Sequence, residues 1–108
     1  MCLRSLVLPE IEALCLPDGD REITGGYIGD LLSWVMGRAN SGDAWITIMS
    51  NANVIAVATL ADVACVCLAE DVVLTDDLIK LANEKRVNIL KSTVSAYETA
   101  ALLINKKI

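Results

Sequence analysis

The chain has 108 residues, a formal net charge of −5 and a hydrophobic residue content of 55%. A chain of this length is expected to form one domain over residues 1–108 and to bury about two-thirds of its extended surface. Lysine and arginine are few, with nine in the whole chain, and they form no basic cluster beyond adjacent pairs such as Lys106-Lys107. Because nucleic-acid binding needs a concentrated basic surface, the composition argues against DNA and RNA as partners.

Membrane insertion and secretion are also disfavoured. The longest apolar stretch, residues 54–69, carries Asp62 near its middle, which is typical of a protein core and not of a membrane span. The N-terminal segment has too short an apolar run for a signal peptide and lacks a small-residue cleavage pattern. We therefore expect a cytoplasmic protein that does not bind membranes.

Cysteine usage fits this compartment. The chain contains four cysteines and no histidine, and Cys65 and Cys67 lie two residues apart. In a strand, this spacing places both side chains on one face, where they pack as small apolar residues. Metal binding would need more ligands and a different spacing. We expect structural cysteines, with no metal and no cofactor.

The first half of the chain predicts one strand and one helix around a glycine-rich turn. A short N-terminal segment with helical spacing precedes a strand at residues 12–16. Thr24-Gly25-Gly26 is predicted to form the glycine turn. Helical periodicity then begins at Ile28, with Asp30 as the capping residue, and the helix ends at Gly37.

The second half alternates short apolar strands with helices. Trp45 opens a β-rich run and is predicted to pack in the core, and the following Ser50-Asn51-Ala52-Asn53 caps a helix that extends to about residue 61. The remaining elements are predicted as strand, helix, strand and helix, at residues 64–68, 76–82, 87–90 and 95–104.

This alternation predicts an α/β fold in which a mainly parallel sheet carries helices on both faces. Ligands of such folds tend to bind beyond the carboxyl ends of the strands. Ser50-Asn51-Ala52-Asn53 and Thr93 are predicted to lie there, together with the glycine turn. Trp34 lies at the margin of the apolar stripe of its helix, and an exposed tryptophan there would indicate a partner surface.

The glycine turn and these polar residues form the predicted ligand site. Backbone amides near a glycine turn and near helix starts can hold an anion without a lysine. The alternative is that the same residues only cap helices and make turns. The predicted ligand-binding residues are Arg21, Thr24, Gly25, Gly26, Ser50, Asn51, Asn53 and Thr93.

Catalysis by familiar means is disfavoured. The segment from Gly37 to Gly42 has the glycine spacing of a phosphate-binding P-loop, but Asp43-Ala44 stands where lysine and serine or threonine are required. The segment also leaves a helix and enters a strand, which is the reverse of the P-loop order. Without histidine, Ser-His-Asp and Cys-His arrangements are excluded. We predict no catalytic residues and no enzymatic activity.

Several blocks of the sequence together resemble the DRTGG domain, and more narrowly the small stand-alone DRTGG-domain proteins. The similarity extends from about Leu3 to Leu103, and the name motif is split by Glu22-Ile23. The blocks are Asp20-Arg21-Glu22-Ile23-Thr24-Gly25-Gly26-Tyr27, Gly29-Asp30-Leu31-Leu32-Ser33, Trp45-Ile46-Thr47, Asn53-Val54-Ile55-Ala56-Val57-Ala58 and Ala61-Asp62-Val63-Ala64.

The resemblance implies the fold shared by the N-terminal domains of MurF and of HPr kinase/phosphorylase. It also implies a non-catalytic regulatory or assembly domain that forms a homodimer, with a nucleotide or phosphorylated small molecule as its ligand. The alternative is a ligand-free adaptor that binds a protein partner. An HPr-type serine kinase is a weaker alternative, because the kinase chemistry of that enzyme lies in a separate P-loop domain.

Overall fold

The computed structural model describes residues 2–105 and folds them into one sheet with helices on both faces. The strands are β1 (Ile11–Cys15), β2 (Gly25–Ile28), β3 (Asp43–Thr47), β4 (Cys65–Leu68) and β5 (Ile89–Ser92). The α-helices are α1 (Leu32–Arg38), α2 (Ala52–Ala61), α3 (Asp76–Glu84) and α4 (Ala96–Asn105), and a 3₁₀ helix spans Leu3–Ser5. None of the helices in this part of the chain is long and apolar enough to span a membrane.

The sheet has the strand order β1-β5-β4-β3-β2. The four strands from β2 to β5 are parallel, and β1 pairs antiparallel with β5. The prediction of a mainly parallel sheet is therefore confirmed. Strands β2, β3, β4 and β5 follow one another in space as in sequence, so each crossover moves in the same direction across the sheet.

Alternating strand residues divide the core between the two faces. On one face Trp45, Val66 and Ile89 pack with side chains of α1, α2 and α3. On the opposite face, the side chains of Cys65 and Cys67 pack with α4 and the N-terminal segment. The expected helices on both faces, and the shared orientation of these two cysteines, are confirmed.

Two predicted helix starts are also confirmed. The side chain of Asn51 accepts a hydrogen bond from the Asn53 amide (3.0 Å) and caps α2. The hydroxyl of Ser95 accepts a hydrogen bond from the Glu98 amide (3.1 Å), directly before α4 begins. Both residues supply the side-chain oxygen that the free amides of a first helical turn require.

The predicted glycine turn is wrong, because Gly25 and Gly26 belong to β2 and pair with Asp43 and Ala44 of β3. Pairing with β3 continues through Ile28, so α1 begins only at Leu32. A backbone ladder satisfies the polar groups of this segment better than a turn leading directly into a helix.

The predicted cap by Asp30 is also wrong, since the residue at the N-cap position of α1 is Leu31. The Asp30 carboxylate instead accepts hydrogen bonds from the Thr47 hydroxyl (2.6 Å) and the Ile48 amide (3.1 Å). Thr47 is buried, and a buried hydroxyl without a partner costs free energy. Asp30 therefore joins the end of β3 to the loop that follows β2.

We predict that thiol-labelling reagents distinguish Cys2 from the cysteines of β4. Burial raises the pKa of Cys67 to about 12 and also raises the pKa of Cys65, whereas a hydrogen bond to Ser5 lowers the pKa of Cys2. Because the thiolate is the reactive form, Cys2 should react orders of magnitude faster in the folded protein. Mass spectrometry of timed labelling reactions measures this difference. Urea-unfolded protein, in which all four cysteines should react, is the control.

Candidate functional site

The predicted site residues lie at opposite ends of the sheet. Arg21 and the Thr24-Gly25-Gly26 segment lie toward the amino ends of the parallel strands. Ser50, Asn51 and Asn53 follow the carboxyl end of β3, and Thr93 follows that of β5. With a rise of about 3.3 Å per residue, strands of this length separate the two groups by roughly 15 Å. The structure does not bring the eight residues together in one site.

Arg21 is held by the end of helix α2. Its guanidinium donates hydrogen bonds to the Asp62 carboxylate (3.1 Å) and to the Asp62 carbonyl (2.8 Å). The Ser41 hydroxyl donates to the same carboxylate (2.5 Å), and these bonds from Ser41 and Arg21 lower the pKa of Asp62. Asp62 takes the left-handed conformation that ends α2 (φ 58°). Arg21 thus complements a helix C-terminus, where a positive charge is stabilising.

Gly25 makes room for a buried carboxylate. A Cβ atom at Gly25 would lie 2.7 Å from Oδ1 of Asp43, which is closer than side-chain contacts permit. Oδ2 of Asp43 accepts a hydrogen bond from the Asn40 amide (2.8 Å), so the carboxylate has little freedom to move. An anion on this side of Gly25 would meet the negative charge of Asp43.

The two glycines therefore differ in what they require. A Cβ atom at Gly26 would lie 3.6 Å from the Ala44 carbonyl oxygen, which is an ordinary contact distance. Before them, the Thr24 amide donates to the Gly42 carbonyl (2.9 Å) and begins the pairing of β2 with β3. The segment has a defined architectural role, and anion binding by its amides stays a prediction.

The polar residues at the carboxyl ends are used by turns and caps. Asn51 caps α2, and the amide of Thr93 donates to the Glu10 carbonyl (3.0 Å). The Glu70 carboxylate accepts a hydrogen bond from the Ala96 amide (3.4 Å) at the start of α4. An acidic side chain thus already occupies a helix-start amide that could otherwise face an anion. Ligand binding by Ser50, Asn51, Asn53 and Thr93 stays a prediction.

An apolar groove beside β2 is the feature that the sequence did not reveal. It has a volume of about 240 Å³ and lies between the sheet and α4. Its lining residues are all uncharged and comprise Gly25, Gly26, Tyr27, Ile28, Ala44, Ile46, Ala100, Leu103 and Ile104. In the sequence, the features that contribute to this groove are the Gly-Gly-Tyr-Ile run and the helical spacing of Ala100 and Ile104. Neither signal locates the groove without the strand order.

Trp34 and Trp45 occupy the contrasting environments predicted for them. Trp45 is fully buried, and its indole donates a hydrogen bond to the Gly29 carbonyl (2.9 Å). Trp34 is 52% exposed, and the Arg38 guanidinium lies 3.8 Å from the centre of its ring. An exposed indole with a stacked arginine suits a surface that binds another protein.

Comparison with known proteins identifies the family to which this chain belongs. A family model described as "DRTGG domain" matches residues 28–106, which is most of the chain, so the chain belongs to the DRTGG domain family. The match begins after Tyr27, so the blocks after that residue support the assignment independently of the Asp20–Tyr27 segment. No curated protein sequence matches the chain.

A solved structure shares this fold. It contains the CBS and DRTGG domains of the regulatory region of a Clostridium perfringens pyrophosphatase, complexed with the activator diadenosine tetraphosphate. The TM-score is 0.68 with 13% sequence identity, over 87% of this chain and 41% of that chain. This chain therefore spans less than half of the length of that regulatory region.

We predict that alanine substitutions at the two adjacent glycines have different effects. Gly25→Ala forces its methyl group against the buried Asp43 carboxylate and should lower the free energy of unfolding by about 1–3 kcal/mol. Gly26→Ala meets no close neighbour and should change it by less than about 1 kcal/mol. Urea denaturation followed by circular dichroism measures both values. Equal losses for the two variants would contradict the assigned role of Gly25.

Proposed function

We propose that this chain is a non-catalytic regulatory domain that forms a homodimer and binds a small anionic or nucleotide ligand. The observation that carries this proposal is an open sheet edge, β2, with an uncharged apolar groove beside it. A surface of this kind suits association with another protein surface. Membership of the DRTGG family supports the regulatory role.

Exposed apolar side chains support self-association. Ile28 is 51% exposed and lies on β2, and Ile104 is 68% exposed on α4. Leu31 and Trp34, which follow β2, are also more than half exposed. Single exposed apolar residues are normal, but a group of them around one sheet edge is typical of an interaction surface.

The solved pyrophosphatase regulatory region supports the ligand part of the proposal. That protein was crystallised with a dinucleotide activator and contains a DRTGG domain of the same fold. By analogy, we propose a nucleotide or phosphorylated small molecule as the ligand of this chain. The carboxyl ends of β3 and β5, with Asn53 and Thr93, are the first place to test, because helices α2 and α4 begin there.

The contacts of the P-loop-like segment support a non-catalytic role. Asp43, which replaces the P-loop lysine, is buried and bonded to the Asn40 amide within the same loop. The Gly42 amide donates to the Asp62 carbonyl (3.0 Å), and its carbonyl accepts from Thr24. These backbone groups are therefore used by neighbouring elements, and phosphate binding would need some of them to be free.

Light scattering after gel filtration tests self-association. The expected molar mass is twice the 11.6 kDa of one chain. Dilution should convert the dimer to the monomer, because the equilibrium depends on protein concentration. A molar mass of 11.6 kDa at every concentration would contradict the homodimer.

A thermal-shift screen tests ligand binding. Diadenosine tetraphosphate, mononucleotides and inorganic phosphate are the probes, and a probe at 100 times its Kd should add about 2.7 kcal/mol of stability. Asn53→Ala and Thr93→Ala should reduce the shift, whereas Leu60→Ala, at an exposed position of α2, is the control and Gly26→Ala tests the opposite end of the sheet. A shift that is reduced only by Gly26→Ala would place the site there instead. A dimer that no probe stabilises would favour the ligand-free adaptor.

A further inference from the structure

We propose that two copies of the chain join through strand β2, whose free edges pair antiparallel across a two-fold axis. The five-stranded sheet of each copy would then continue into the sheet of the other. This inference rests on the proposed self-association and assigns the surface that produces it.

The two edges of the sheet differ in how they are protected. Natural edge strands avoid unwanted pairing by means of charged residues, proline and β-bulges. At the β1 edge, Glu12 lies within the strand, and the pairing of β1 with β5 is irregular between Ala13 and Cys15. Strand β2 has the sequence Gly-Gly-Tyr-Ile, pairs regularly with β3, and contains no charge and no proline. Within residues 2–105, no further strand pairs with its outer edge.

The backbone of β2 presents free hydrogen-bonding groups at this edge. The Gly29 amide donates to the Ile46 carbonyl (3.2 Å), so in the register of Ile28 with Ile46 the backbone groups of Tyr27 point toward β3. Because backbone groups alternate in direction along a strand, the amides and carbonyls of Gly26 and Ile28 point away from β3. Two such strands in antiparallel orientation can exchange these bonds. Leaving the groups unpaired beside an apolar groove would be less favourable.

The side chains around β2 provide the apolar area that a dimer needs. Ile28 and Ile104 line the groove on one face. After β2, Leu31 is the N-cap residue of α1, and Trp34 lies within α1. Each of these four side chains is about half exposed or more, so each offers on the order of 100 Å² of apolar surface that a partner could bury. Together, that is about half of the roughly 800 Å² that each partner buries in a standard interface. The strand backbone and the groove walls can supply the remainder.

Charge favours a second copy of the chain as the occupant. The chain carries a net charge of −5, so most of its surface repels an identical partner. Strand β2 and the residues that line the groove are uncharged, so two copies can meet there without this repulsion. Antiparallel pairing about a two-fold axis also brings the same apolar residues from both copies to one interface. With Tyr27 at the axis, Gly26 would face the partner's Ile28, and the glycine leaves room for that side chain.

Lysine substitutions test this assignment. Ile28→Lys and Ile104→Lys place a positive charge at the β2 edge and in the groove, respectively. Each should raise the Kd of the dimer at least about 30-fold, as expected for the loss of a central apolar contact. Leu60→Lys is the matched control, because Leu60 is a 71% exposed residue of α2 and the charge change is the same. Sedimentation equilibrium measures Kd, and circular dichroism confirms that each variant folds.

Amide hydrogen exchange tests the backbone pairing directly. In the wild-type dimer, the amides of residues 26 and 28 should exchange slowly, and in Ile28→Lys the amides at these two positions should exchange rapidly. A dimer that persists in both Ile28→Lys and Ile104→Lys would overturn this inference but leave self-association intact. A wild-type chain that is monomeric at every concentration would overturn both proposals. Rapid exchange of both amides within the dimer would also overturn the strand pairing.

Discussion

The parallel pairing of β2 with β3 is the constraint on which the rest of the structure depends. Gly25 permits this pairing because the space that its side chain would fill is taken by the buried Asp43 carboxylate. The Thr24 amide secures the beginning of β2, and the Trp45 indole bonds to the Gly29 carbonyl just beyond its end. These contacts lie on both sides of a four-residue strand that has weak β-propensity of its own. They also complete the parallel sheet and leave β2 as its outer edge.

Several charged residues stabilise the ends of helices. Asp76 and Asp77 lie in the first turn of α3, where negative charge is favourable, and Arg21 complements the end of α2. Asp30 and Glu70 accept hydrogen bonds from amides at the carboxyl ends of the strands. These polar groups at the strand ends thus have partners within the fold, whereas β2 is an outer strand with an apolar groove beside it.

Local patterns predicted the central elements well. The alternation of apolar strands and helices predicted the parallel sheet, and the helix starts predicted at Ser50-Asn51-Ala52-Asn53 and near Ser95 are real. The glycine pair was misread because glycine favours turns in general, while its role in β2 depends on Asp43, a partner distant in sequence. For the same reason Asp30 was assigned to the nearest helix, although its partners lie on and just after β3.

The sequence by itself determined the fold class, the DRTGG family and the burial of Trp45, Cys65 and Cys67, because these depend on composition, periodicity and motif similarity. Only the tertiary structure decided that the predicted site residues lie at opposite ends of the sheet. It also decided that one edge is irregular and carries Glu12, whereas the other is open and apolar. Strand order and register arise from pairing between distant segments. Local hydrophobic periodicity does not indicate which strands become neighbours.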